Sequence, residues 1–294
     1  MAINKSTLDK FDLTGKTAVV TGGGTGLGYA MSRALLLLGA KVLIAARRED
    51  VLREAATKLK AECSTDSVLF HTVDLNDRDS VKAFADYAQR TLDGVDIFIG
   101  NAGNGLFKPV EDTADTELDD CVRVNFTANF ELTRYFLPTM RERRWGRILY
   151  SSSASAILSP GALTGVSVYA PMKAALNSLA RTLAMEVSQE GVNVNALVIG
   201  TYLTDMSGAK KADLDEGVGH DAGSRFIEQM ETNSALGRLG IPRELEGMVQ
   251  LLTTDAGSFI TGQSIAVDGG MTSMIWANPP VKDPVIPKYC AQDI

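Results

Sequence analysis

The sequence predicts an α/β fold: a single doubly wound parallel sheet of about seven strands, flanked by helices. Three observations predict it. Short β-branched apolar runs alternate with stretches of helical periodicity along most of the 294 residues, and repeated βα units in one chain return strand to strand as a parallel sheet. A glycine-rich turn stands between the first such run and the first helical stretch. The runs are three to seven residues long and apolar, as strands buried on both faces are.

The elements follow in order. Strands are expected over 17–21, 42–45, 68–70, 95–99, 148–150, 192–198 and 264–267, and helices over 29–38, 50–62 and 78–91, with Gly39 as the C-cap of the first. Residues 201–233 are rich in Gly, Asp and Lys, and their apolar residues are too sparse for a strand or a core helix, so a mobile insertion is expected. Pro242 opens a helix over 243–253. The tail from 276 carries Pro279, Pro280, Pro284 and Pro287 and is expected to be extended and non-helical. Residues 1–272 thus read as one domain with a lid at about 201–235, followed by a Pro-rich extension over 273–294.

Net charge is −7, which argues against a surface built to neutralise a nucleic-acid backbone. Three cysteines at wide spacing and two histidines offer no metal-ligand pattern. No segment reaches the roughly 18 apolar residues of a membrane span, and the first ten residues lack a leader's apolar core. A cytoplasmic protein without nucleic-acid, membrane or metal partners is expected.

The glycine turn makes the fold Rossmann-like. Gly22, Thr25, Gly26, Leu27 and Gly28 lie between first strand and first helix, where the backbone can approach a pyrophosphate and the helix N-terminus can hold it. The second strand ends in Arg47 and Arg48 with no acid at its tip. A guanidinium there suits a 2′-phosphate, so NADP(H) is expected over NAD(H), although Glu49 and Asp50 could neutralise both arginines. Asp74 and Leu75 end the third strand, where a carboxylate or the backbone could receive an adenine amino group. Asn101, Ala102 and Gly103 end the fourth, small enough for close passage of a cofactor.

Tyr169 and Lys173 are four residues apart at the start of a helical stretch, so both project from one face. An ammonium near a phenol favours the phenolate, which would bring a pKa of about 10 toward working pH. The pair follows a cluster of Ser151, Ser152, Ser153 and Ser155, any of which could hold a substrate oxygen.

In order, the glycine motif at 21–28, Asn-Ala-Gly at 101–103, Asn125, the serine cluster and Tyr-x-x-x-Lys at 169–173 resemble the short-chain dehydrogenase/reductase family over roughly residues 11–272. The resemblance implies that Tyr169 is the acid/base, that Lys173 lowers its pKa and binds the nicotinamide ribose, and that Asn125 supports a proton-relay water. It also implies that Gly200 and Thr204 lie beside the nicotinamide carboxamide, and that the protein is a homodimer or homotetramer acting on a small carbonyl or alcohol substrate.

The chain departs from the family pattern in three places. The interval from serine to tyrosine is long; alignment of the strand points to Ser153, with Ser152 and Ser155 still open. Ile199-Gly200 stands where Pro-Gly is common, and Pro171-Met172 precede Lys173 in place of small polar residues.

An NADP(H)-dependent carbonyl reductase is the expected function. Alternatives are an enoyl- or dienoyl-CoA reductase, a sugar or polyol dehydrogenase, and a non-catalytic NADP-binding regulator. Leu203, Met206, Phe226, Ile227 and Met230 could line a pocket or form a small helix packed on the core, and Ile157, Leu158, Pro160, Leu163 and Val166 a second apolar wall. Arg141, Arg143, Arg144 and Arg147 read as the solvated end of a long helix, and the tail, with Trp276 and Tyr289, as a segment that could cross to a neighbouring subunit.

Overall fold

In the computed structural model, which describes residues 5–158, 165–204, 228–274 and 285–290, seven strands form one parallel sheet. They are β1 (Thr17–Thr21), β2 (Lys41–Ala46), β3 (Val68–Thr72), β4 (Ile97–Gly100), β5 (Gly146–Ser153), β6 (Val192–Ile199) and β7 (Ser264–Val267). Their spatial order is β3-β2-β1-β4-β5-β6-β7. The chain winds one way from β1 to β3 and the other way from β4 to β7, so the order reverses between β1 and β4. A crevice opens there, beyond the carboxyl ends of the strands, where open α/β sheets bind ligands.

After a short α1 (Lys5–Leu8), the helices are α2 (Gly26–Leu36), α3 (Glu49–Cys63), α4 (Arg78–Leu92), α5 (Asp115–Val122), α6 (Ala128–Glu142), α7 (Tyr169–Val187) and α8 (Glu246–Thr253). Side chains of a strand alternate between faces, and β1 shows the consequence. Val19 joins Phe84, Phe98, Phe136 and Tyr150 in the core under α4, α6 and α7, while Ala18 and Val20 join Leu35, Ile44, Leu52 and Val249 under α2, α3 and α8.

Gly39 takes φ +92° just beyond α2, and the Ala40 N–H donates to the Leu35 carbonyl, closing that helix as expected. Between α5 and α6 the helix widens into a π turn over Arg123–Thr127. A single 3.6-residue period cannot anticipate such an insertion.

Three expectations are corrected. Arg147 is not solvated: it lies on β5 at 3% exposure, its guanidinium 3.0 Å from Asp255 and 4.3 Å from the Trp145 ring. The tail is not wholly extended, because Lys288–Cys290 form a 3-10 turn with Cys290 buried. That segment packs on its own chain: Arg238 donates to the Val285 carbonyl at 3.0 Å and Arg243 to that of Tyr289 at 3.3 Å.

The segment after β6 is also less sparse than expected. Tyr202 is buried and bridges Gly240, and Met230, in a helical turn over 228–232, packs with Ala154, Leu239 and Met271. Residues 205–227 of the expected lid, with Met206, Phe226 and Ile227, lie outside the described residues, as do Pro160, Leu163 and Trp276.

Candidate active site

The crevice holds a cavity of about 350 Å³. At one end the glycine turn forms a cradle. Gly22 has φ +67°, and a Cβ on it would stand 2.9 Å from Asn101 Nδ2; a Cβ on Gly28 would stand 2.1 Å from the Gly22 carbonyl oxygen. Only glycine lets turn and helix meet this closely. Thr25 caps α2 in an extended conformation without a side-chain hydrogen bond to the helix, so the first-turn N–H groups and the helix dipole face the cavity. Thr21 fastens the opposite wall: its hydroxyl accepts from the N–H groups of Asn101 and Ala102, each at 3.1 Å. Gly22, Thr25, Gly26, Leu27, Gly28, Asn101, Ala102, Gly103, Gly200 and Thr204 all line this cavity. Thr204 sits over the start of α2, where a Cβ on Gly26 would lie 3.2 Å from its methyl group.

Arg47 and Arg48 stand exposed at the tip of β2. Neither makes an ion pair among the described residues, since Glu49 is engaged by Arg53 at 2.5 Å. The Glu49 carboxylate is therefore directed to Arg53 and away from both arginines. Asp74 is exposed and Leu75 buried at the end of β3; one Asp74 carboxylate oxygen accepts from the Asn76 N–H at 3.0 Å. These four residues lie outside the cavity proper. A pyrophosphate-linked dinucleotide fits this layout, with phosphates on the glycine cradle and a ribose phosphate near the two uncommitted guanidinium groups.

At the other end, Tyr169 and Lys173 project from the first turns of α7, and the Lys173 ammonium lies 5.5 Å from the Tyr169 ring centroid. Lys173 is 4% exposed and donates to the Ser151 carbonyl oxygen at 2.9 Å. Burial pulls its pKa down to about 8. For Tyr169 the net direction is opposite to that expected from a neighbouring ammonium: burial pushes the phenol above its ordinary 10.0, and the hydrogen bond from Ser153 offsets only part of the rise. The phenol is therefore held as an acid.

The serines separate by what they already hold. The Ser152 hydroxyl donates to the Lys173 carbonyl at 2.9 Å, and that of Ser151 to Asn101 Oδ1 at 3.1 Å. Ser153 bonds Tyr169 and shares a 2.7 Å hydrogen bond with the Ser155 hydroxyl, so Ser153 is the one beside the phenol. Asn125 is fully buried in the π turn, close to Gly103 and Lys173 but not on the cavity wall.

Sequence reasoning missed Phe107 and Tyr202, which line the cavity with Met230. The Phe107 ring lies 6.2 Å from that of Tyr169 and is 58% exposed. An aromatic residue four positions after an Asn-Ala-Gly turn was the available signal.

A model of the short chain dehydrogenase family matches residues 16–215. A chloroplastic tropinone reductase homolog of Arabidopsis thaliana is 31% identical over 90% of this chain and 78% of its own. Among solved structures, a gluconate 5-dehydrogenase from Burkholderia cenocepacia in complex with NADP and tartrate superposes with a TM-score of 0.80 at 27% identity, covering 92% of this chain and all of the other. Pseudomonas aeruginosa RhlG, in an active-site complex with NADP, does so with a TM-score of 0.78 at 28% identity over 90% of this chain and 98% of its own.

Proposed function

The chain belongs to the short-chain dehydrogenase family of oxidoreductases, and on that premise we propose that it is an NADP(H)-dependent enzyme interconverting a ketone or aldehyde with an alcohol, Tyr169 being its acid/base. The observation that carries this reading is the Tyr169 phenol, hydrogen-bonded to Ser153 and flanked by Lys173, in one cavity with the glycine cradle.

NADP(H), when bound, supplies or accepts the hydride. Gly22, Thr25, Gly26, Leu27 and Gly28 would hold its pyrophosphate, Arg47 and Arg48 its 2′-phosphate, Asp74 and Leu75 the adenine, Asn101, Ala102 and Gly103 the underside of the ribose, and Gly200 and Thr204 the nicotinamide end. NADP in two similar structures supports that choice over NAD(H). Ser153 donates a hydrogen bond to the substrate carbonyl oxygen. Tyr169, a phenol at neutral pH because burial raises its pKa, donates its proton to that oxygen as the alcohol forms and recovers it in the reverse direction. Lys173 replenishes the phenolate from its ammonium, and Asn125 sustains the relay behind it.

An enoyl- or dienoyl-CoA reductase and a silent regulator are disfavoured by the complete Tyr169, Lys173 and Ser153 arrangement. A sugar or polyol dehydrogenase differs only in the body of the substrate. Exposed Leu118 on α5 and Phe130 on α6 support the homodimer or homotetramer. The thiols of Cys63 and Cys121 support a reducing compartment such as the cytoplasm. No described helix is long and apolar enough to cross a membrane.

The test is a panel of ketones, keto-acids, sugars and acyl-CoAs followed by NADPH absorbance, repeated with NADH. Turnover of a carbonyl compound with higher kcat/KM for NADPH is expected. Preference for NADH, or turnover only of an acyl-CoA double bond, would overturn the proposal.

A further inference from the structure

Ser153 ends β5 in extended backbone, at φ −144° and ψ 153°, and the chain then makes a single 3-10 turn over Ala154–Ala156. The turn is anchored at its first residue. Ala154 is buried against Met230, Leu239 and Met271, and its carbonyl accepts from the N–H groups of Ile157 at 3.0 Å and Leu158 at 2.9 Å. Ser155, the next residue, is thereby held on the cavity wall beside Ser153. Its N–H donates to Ser153 Oγ at 3.2 Å, and the two hydroxyl oxygens lie 2.7 Å apart. Among the described residues, Ser153 is the hydrogen-bond partner of the Ser155 hydroxyl.

A hydroxyl has one proton to donate and two lone pairs with which to accept, whereas a carbonyl oxygen only accepts. A substrate oxygen held by Ser153 and protonated by Tyr169 needs both of their protons at once. Every other contact of Ser153 Oγ must then be one in which it accepts. Ser155 supplies two donors for the two lone pairs, its N–H at 3.2 Å and its hydroxyl at 2.7 Å. In the opposite sense, with Ser153 donating to Ser155, the Ser153 proton is spent inside the turn and the phenol is left to donate into Ser153. Neither proton then points at the substrate. Once the phenol has given up its proton, the phenolate too only accepts, and a bond donated by Ser153 is the kind that lowers the phenol's pKa. Donation from Ser155 to Ser153 serves both stages, and in such a chain each bond polarises the next.

We infer that Ser155 is a positioning residue for the Ser153 hydroxyl: its N–H and O–H together fill both lone pairs of Ser153 Oγ, which leaves the protons of Ser153 and Tyr169 for the substrate oxygen. The role in turnover rests on the oxidoreductase reading. Ser155 touches no reacting atom in this assignment and acts through Ser153.

The test compares Ser155→Ala, which removes the hydroxyl and keeps the N–H, with Ser155→Thr, which keeps both. Ser155→Ala should lower kcat about tenfold, the worth of one hydrogen bond in the transition state, with the NADPH Kd unchanged; Ser155→Thr should recover most of kcat. In a Ser153→Ala background no hydroxyl is left to orient, so adding Ser155→Ala should cost nothing further. A Ser155→Ala enzyme with wild-type kcat overturns the inference, as does Ser155→Thr as impaired as Ser155→Ala. So does a Ser155→Ala loss that persists in full in the Ser153→Ala background, which would mean that Ser155 acts on the substrate directly. The phenol is also read without substrate, by alkaline titration of phenolate absorbance in each protein less that of its Tyr169→Phe counterpart. Ser155→Ala should titrate at higher pH than the wild type and Ser155→Thr together with it. If no carbonyl compound is turned over, the functional reading fails, while this titration still decides the inference: coincident Ser155→Ala and wild-type curves overturn it.

Discussion

Replacing Tyr169 by phenylalanine removes one oxygen and keeps the ring. In the folded chain that oxygen is bonded to Ser153, and the ring keeps its neighbour Phe107 at 6.2 Å. A hydrogen bond of this kind contributes about 0.5 to 1.5 kcal/mol net, so the variant should fold and melt within roughly 5 °C of the wild type. The catalytic effect is on another scale. A positioned acid/base contributes about 10²- to 10⁴-fold, which corresponds to about 3 to 5 kcal/mol of transition-state stabilisation. Turnover is followed by NADPH absorbance and NADPH binding by quenching of protein fluorescence. A fall in kcat of at least about 100-fold, with little change in the NADPH Kd, is expected. A folded Tyr169→Phe enzyme whose kcat stays within about tenfold of the wild type would refute the assignment of the phenol as the proton donor.

Four further outcomes follow from the same geometry. Arg47→Ala should cut kcat/KM for NADPH by roughly 10- to 100-fold, the worth of one charge-assisted contact, and leave that for NADH nearly unchanged; equal losses with both would remove Arg47 from cofactor choice. Ser153→Ala should lower kcat, whereas Ser152→Ala should chiefly cost about 1 kcal/mol of stability through its lost bond to the Lys173 carbonyl, which paired kinetics and denaturant melts can separate. The Lys173 ammonium is depressed from 10.5 to about 8, so kcat/KM should decline as pH rises through about 8. Over the window from about 8 to 10.5 the unfolded chain binds the extra proton, and wild-type stability should therefore rise relative to Lys173→Met; a pH-independent difference would contradict the buried lysine. Gly28→Ala should lose nucleotide binding and stability together, because its Cβ meets the Gly22 carbonyl oxygen at 2.1 Å and one of the two backbones must move.

What could be read from the sequence was what local chemistry determines. The β-branched runs of β1, β2 and β6 located the sheet, and the glycines of the turn located the cradle, because each needs only its neighbours to be recognised. Strand ends were harder. The last three residues of β5 are serines, polar by type, and they are strand because Ser151, Ser152 and Ser153 pair with Leu197, Val198 and Ile199. Arg147 looked like part of a solvated cluster until β5 carried it to Asp255, 108 positions away in sequence. Asn104 meets Asn125 across 21 positions and a π turn, and no periodicity encodes either.

The catalytic pair shows where such reading stops for a physical reason. The spacing of Tyr169 and Lys173 fixes that the two side chains share a helix face, and from this alone the ammonium should lower the phenol's pKa. Burial acts on both groups at once, raising the phenol and lowering the ammonium, because each loses water from its charged form. The two shifts favour the neutral pair, phenol and amine, over the ion pair of phenolate and ammonium, whereas in water the two would be nearly equal in energy. A phenol held protonated at neutral pH can give its proton to a developing alkoxide, and an ammonium of lowered pKa can return one to the phenolate downhill. On this argument the depth of the pair beneath the cavity wall matters as much as its spacing. A Gly103→Ala variant, whose Cβ would stand 3.1 Å from Lys173 Nζ and 2.7 Å from Asn125 Oδ1, should therefore slow proton return and lower kcat more than it weakens NADPH binding. Equal effects on both would place the role of Gly103 in the cradle alone.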